Sequence, residues 1–172
     1  MAWFPRKKTV PLVEVAKDLA SSAVHGTSEE SLREFFREWI EKPELFTDAA
    51  RREWLALNLF AVVAAVGQAI DSKDTSGRLL DAMHDQVYAS EFQTTAARQE
   101  FEKLLQQRYA EYSEVLREPV GEKAIGLGRI FAEAAFDTTD AAVLFASAKR
   151  FFEKIDLARD FLREVAGRFV IR

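Results

Sequence analysis

The chain has 172 residues, 48% hydrophobic and 30% charged, which fits one globular domain and excludes intrinsic disorder. It contains no cysteine and only two histidines, so disulfides, thiolate nucleophiles and thiolate-bound zinc or iron–sulfur centres are ruled out. The net charge of −4 is uneven: residues 149–172 hold seven basic and four acidic side chains, while residues 9–148 hold 14 basic against 24 acidic, and such an acidic body argues against a general nucleic-acid binder.

Residues 1–9 read as a short basic and aromatic arm, and residues 10–172 as a single helical domain. In the arm Trp3 and Phe4 stand beside Arg6, Lys7 and Lys8. Aromatic and basic residues together suit an anionic membrane surface or an acidic partner, but three charges are too few for stable anchoring. The charges follow the apolar residues, so no secretory leader is expected.

Apolar residues then recur with a helical period. A first helix is expected after Pro11, with Leu12, Val15, Leu19 and Ala23 inward and His25-Gly26 as its end; His25 would cap it as a cation. Thr27 and Glu30 fit a capping box for a second helix, whose stripe is Leu32, Phe35, Phe36, Trp39 and Ile40 and which Pro43 stops. Thr47 or Asp48 caps a third helix over about 48–70. Its latter half is apolar nearly all round, so the helix should be central and covered on most sides. Residues 71–77 read as a polar loop.

A fourth helix presents Leu80, Met83, His84, Val87 and Tyr88. A fifth, capped by Thr94 or Thr95, turns Phe101, Leu104, Leu105, Tyr112 and Leu116 inward, and Pro119 breaks the chain. The sixth bears a ridge of small residues, Ala124, Gly128, Ala132 and Ala135, which permits close backbone approach. Asp137-Thr138-Thr139 is expected to cap a long last helix over about 140–166. No strand pattern is visible, and Phe169-Val170-Ile171, though β-prone, has no obvious partner. The expected fold is therefore all-α: a compact single-domain bundle of about seven helices around a central apolar one.

Few residues offer chemistry. Arg78 and His84 are separated by five residues. The spacing resembles the Arg-x(4–6)-His signature of HEPN-type ribonucleases, small all-α proteins in which the pair acts on the RNA phosphodiester. That resemblance covers seven residues, and Leu79 stands where the family usually has a polar one. Around one straight helix Arg78 and His84 lie roughly 120° apart. Arg78 would then pair with Asp81 and Asp85 on the polar face. His84 would be half-buried on the apolar stripe, bonded to Asp81 or to a backbone carbonyl.

Asp81-x-x-His84 also has the spacing of a carboxylate–imidazole metal element, but a di-iron bundle needs a second such element and two further carboxylates. Glu53, Glu100 and Glu133 could point inward, yet no second histidine matches. With Gly77 as the sixth residue of a calcium loop, the twelfth would be Met83, so the bidentate glutamate is missing. Gly126 and Gly128 lack a preceding strand and the remaining residues of a phosphate loop. There is no Gly-x-Ser-x-Gly elbow. No cofactor and no metal are expected.

What remains is a helical scaffold with 14 Phe and ready-made helical faces. The sequence leans toward a non-enzymatic interaction or accessory module, cytoplasmic, whose partner is another protein or itself; Leu157 and Phe161 are candidates for a self-association face. One alternative is a bundle that encloses an apolar small molecule or acyl chain. Another is a HEPN-like ribonuclease using Arg78 and His84, with Asp81 nearby.

Overall fold

A computed structural model describes residues 8–37, 40 and 43–171. Among them are seven α-helices and two short strands. Strand β1 is Lys8–Val10. It is followed by α1 (Leu12–Val24), α2 (Glu29–Phe36), a 3₁₀ turn at Pro43–Leu45, α3 (Asp48–Ala69), α4 (Lys73–Glu91), α5 (Thr95–Val115), α6 (Val120–Phe136), α7 (Ala141–Arg168) and β2 (Phe169–Ile171). The all-α reading and both key helices, α3 and the long α7, stand as expected.

Helix α3 is central because its middle is covered on all sides: every residue from position 53 to position 62 is buried, Glu53 and Asn58 included. It packs against α1, α4, α5, α6 and α7, while α1 lies on α4 and α6 on α7. Aromatic rings fill the space between these helices. Phe36 meets Trp54 at 5.3 Å, Phe131 at 5.8 Å and Phe136 at 5.2 Å, and Phe46 meets Phe136 at 5.6 Å. A second group centres on Phe60, whose ring lies 5.3 Å from Tyr109, 5.2 Å from Tyr112 and 5.8 Å from Phe151. No described helix is long and apolar enough to cross a membrane.

The small-residue ridge of α6 does what its composition suggests. A Cβ at Gly128 would stand 2.0 Å from the carbonyl oxygen of Leu144, so the backbones of α6 and α7 touch there. Gly126 is pressed instead against the side chain of Val115.

Several boundaries differ from the sequence expectation. Ser28, not Thr27, caps α2: its Oγ accepts from the Ser31 amide at 3.1 Å. Thr27 is used one step earlier, donating to the Val24 carbonyl at 2.7 Å, because Gly26 at φ 77° has already turned the chain. Helix α2 ends at Phe36, before Pro43 could stop it, and Pro43 opens the 3₁₀ turn; Trp39 lies outside the described residues. Thr47 and Thr94 cap α3 and α5.

The expected polar loop over 71–77 is mostly helix. Ser72 caps α4, accepting from Thr75, and Asp74 adds a favourable charge to its first turn. Asp137 does not cap α7. It adopts a left-handed conformation, φ 48°, and closes α6, while Asp140 caps α7 through Ala142 and Val143.

The expectation of no strand is also corrected. Phe169–Ile171 finds a partner at the other end of the chain: β1 and β2 pair in parallel, with Lys8 opposite Phe169 and Val10 opposite Ile171. The described end of the arm, Lys8 and Thr9, is thus part of a ladder. Trp3, Phe4, Arg6 and Lys7 lie outside the described residues.

Candidate functional site

Helices α4 and α5 are joined by three residues and run antiparallel. Large side chains meet along their seam: Tyr88 from α4 and Phe101 from α5 at 6.5 Å, with the Phe92 ring 4.7 Å from Phe101. Toward the start of α4 the seam opens into a cleft of about 500 Å³ lined by Asp81, His84, Asp85, Tyr88, Glu102, Leu105, Gln106 and Tyr109. Its floor is rigid, because the Tyr109 ring rests on Phe60 of the central helix.

His84 is the centre of this cleft. Its Nδ1 lies 2.8 Å from the Leu80 carbonyl and its Nε2 lies 2.9 Å from the Tyr109 hydroxyl. A carbonyl only accepts, so the proton sits on Nδ1. The neutral ring then accepts from Tyr109 at Nε2. Burial holds the imidazole below its usual range, against the opposing pull of the Leu80 carbonyl and the Asp81 and Asp85 carboxylates. Burial, with Tyr88 nearby, also raises the Tyr109 phenol well above its ordinary value, so it stays a donor.

The outer wall is acidic and aromatic. The Arg98 guanidinium lies 4.5 Å from the Tyr88 ring centroid, donates to Glu102 at 2.8 Å and reaches Asp85 at 3.6 Å. Asp81 has no ion-pair partner among the described residues.

Arg78 is not part of this arrangement. It is 60% exposed, absent from the cleft lining, and pairs with Asp74 at 3.8 Å. The expected pairs of Arg78 with Asp81 and Asp85 do not form: Asp74, one turn back on α4, and Arg98, across the seam, take their places. His84 is half-buried as expected, and of its two expected partners, Asp81 and a backbone carbonyl, it meets the carbonyl, that of Leu80.

The three glutamates considered as inward ligands go separate ways. Glu53 is buried and forms a two-pronged bond with Arg108, Nε to Oε2 at 2.6 Å and Nη2 to Oε1 at 2.7 Å. The remaining prong of Arg108 reaches Glu111 at 2.6 Å. Glu100 pairs loosely with Arg52 at 3.5 Å, and Glu133 is exposed. Among the described residues no three His, Asp or Glu side chains converge to hold a metal ion.

The cation at the C-terminal end of α1 is not His25, whose side chain is exposed, but Lys154 from α7. Its ammonium donates to the Ser22 carbonyl and sits 3.5 Å from that of His25. Two donors from α3 complete the cap: Trp54 Nε1 to Gly26 at 2.9 Å and Asn58 Nδ2 to Ala23 at 3.1 Å. Lys154 is only 3% exposed and its ammonium has no acidic partner among the described residues, so burial and the nearby Arg150 pull its pKa down to about 8. Sequence reading missed it, although Ser147, Phe151, Lys154 and Ala158 fall at helical spacing on one buried stripe. Of the two residues expected to serve self-association, Leu157 is 62% exposed, whereas Phe161 is partly buried against the core.

No family model matches the chain, and no curated protein or solved structure is found to be similar to it.

Proposed function

We propose that the protein is a non-enzymatic interaction module that binds another protein through the α4–α5 cleft. The observation that carries this reading is the state of His84. Both ring nitrogens are occupied, one by Leu80 and one by Tyr109. The phenol is held protonated, and Arg78 points elsewhere. A general base needs a free nitrogen within reach of its substrate. This cleft instead offers aromatic ring faces, enriched at interfaces, beside carboxylates that favour a partner of opposite charge. The aromatic interior does not favour the acyl-chain alternative, since its rings pack on one another at 5 to 6 Å.

The test is a photo-crosslinking amino acid placed at Gln106 in the cleft and, as a control, at the exposed Glu133 on α6, in cells that make the protein. Discrete adducts are expected from position 106 and not from 133. Absence of adducts at 106, or the same adducts from both positions, would overturn the reading.

Self-association is a second reading, supported by Leu157 at 62% and Phe145 at 58% exposure on α7. Sedimentation equilibrium should then give a dimer that Leu157→Glu or Phe145→Glu dissociates; a monomer at all concentrations removes it. We place the protein in the cytoplasm on the same proposal, since a cysteine-free chain has no need of an oxidising compartment. Weak membrane contact through the N-terminal arm would be secondary to these roles.

A further inference from the structure

We infer that the α4–α5 cleft takes the guanidinium of an arginine side chain on the protein partner. The inference rests on the reading of the cleft as a protein-binding surface and names what that surface recognises.

The first support is a guanidinium that the cleft wall already holds. Arg98 stacks on Tyr88 at 4.5 Å and meets two carboxylates, Glu102 at 2.8 Å and Asp85 at 3.6 Å. A ring face beside carboxylate oxygens is the environment a planar, weakly hydrated cation selects. The second support is charge. Three carboxylates, Asp81, Asp85 and Glu102, line the cleft against one guanidinium on its wall, that of Arg98, so the balance of charge there is negative. Arg98 is shared by two of the three, and Asp81 is left without an ion-pair partner among the described residues. The third is the ring wall beyond Arg98: His84 lies 6.1 Å from Tyr88 and 6.0 Å from Tyr109. His84 is neutral there, so it sets no positive charge against an entering cation.

The same geometry separates arginine from its nearest competitors. A lysine ammonium is a compact, strongly hydrated charge and gains less from ring faces on leaving water. Free arginine carries a strongly hydrated α-ammonium and α-carboxylate beside its guanidinium, both costly to bring up to the ring wall, whereas an arginine within a chain carries neither.

Nuclear magnetic resonance on the full chain tests this, following His84, Tyr88, Leu105 and Tyr109 while three probes are added. The probes are an acetylated, amidated Gly-Arg-Gly peptide, the Gly-Lys-Gly equivalent and free arginine. The arginine peptide should shift these four residues saturably, with binding about five-fold tighter than either other probe. Asp81→Asn should weaken it by about three- to five-fold and leave the rest of the spectrum folded. Equal response to the lysine peptide overturns the inference. So do indifference to Asp81→Asn and shifts spread over other acidic surfaces such as Glu114, Glu118 and Glu122. If the arginine peptide fails while crosslinks at Gln106 persist, the protein-binding reading stands and the guanidinium is wrong. If the peptide binds and the crosslinks are absent, the guanidinium preference of the cleft stands, but the protein-binding reading falls and with it the protein partner named here.

Discussion

The Tyr109 hydroxyl and the His84 imidazole meet at 2.9 Å with their donor and acceptor roles fixed, because Leu80 claims the other ring nitrogen. That bond favours the neutral ring. Tyr109→Phe should therefore raise the His84 pKa toward its ordinary value of 6.5, the bond being worth about 0.5–1.5 kcal/mol. The titration of His84 by nuclear magnetic resonance, wild type against variant, reads this directly. An unchanged or lower value in the variant would refute the assigned proton positions.

The same group makes stability depend on pH. The folded His84 binds its proton less tightly than the unfolded chain does. Its contribution is complete above 6.5 and is lost as pH falls from there through the depressed folded value. Urea unfolding of wild type and His84→Gln should diverge in this direction: the wild type loses more stability between pH 7 and 5 than the variant does.

Lys154 acts in a higher window. Its folded value of about 8 lies below the unfolded 10.5, so the unfolded chain holds the proton more tightly and stability from this group rises with pH across that interval. Lys154→Met removes the dependence. The stability of wild type relative to Lys154→Met should improve on going from pH 7.5 to 10; a constant difference would mean that the ammonium is fully compensated by the Ser22 and His25 carbonyls.

Glu53 and Arg108 form the buried ion pair that joins α3 to α5. Removing one partner strands the other charge, so Arg108→Met should destabilise the fold by about 3–5 kcal/mol. The double change Glu53→Leu with Arg108→Met should recover most of that loss, which thermal unfolding of the three variants would measure. If the double variant is no better than the single one, the pair contributes geometry that apolar packing cannot replace.

Glycines 128 and 77 should respond with opposite signs. Gly128→Ala forces α6 from the Leu144 backbone and should cost about 1–3 kcal/mol or more. Gly77 lies in α4 with nothing within 4 Å of a Cβ, and Gly77→Ala should stabilise by about 0.5–1 kcal/mol. Denaturation midpoints of the two variants decide the matter.

What could be read in the sequence followed from local rules. The period of 3.6 shows the stripe of each helix, and the absence of a polar side shows that α3 is central. The same period puts His84 on its stripe but leaves Asp81 and a backbone carbonyl both open as its partner; the Leu80 carbonyl, one turn back, is the one it meets. Tyr109 is not legible as its second partner, because it comes from another helix and its sequence neighbours say nothing of His84. Glu53 can face inward by its place on α3, but the guanidinium that satisfies it lies on α5. The strand partner of Phe169–Ile171 was invisible for a stronger reason. A three-residue strand beginning with Lys8 has no alternation to read, and its partner sits at the far end of the chain.

That pairing has a mechanical consequence. β1 feeds directly into α1, α7 runs directly into β2, and the two strands are parallel. A force that draws residue 8 backward and residue 171 forward loads their whole ladder in shear, so its hydrogen bonds must fail together. The helices behind it bear no tension until then. Pulled from these two points, the domain resists at a rate set by rupture of three residue pairs rather than by the stability of the bundle.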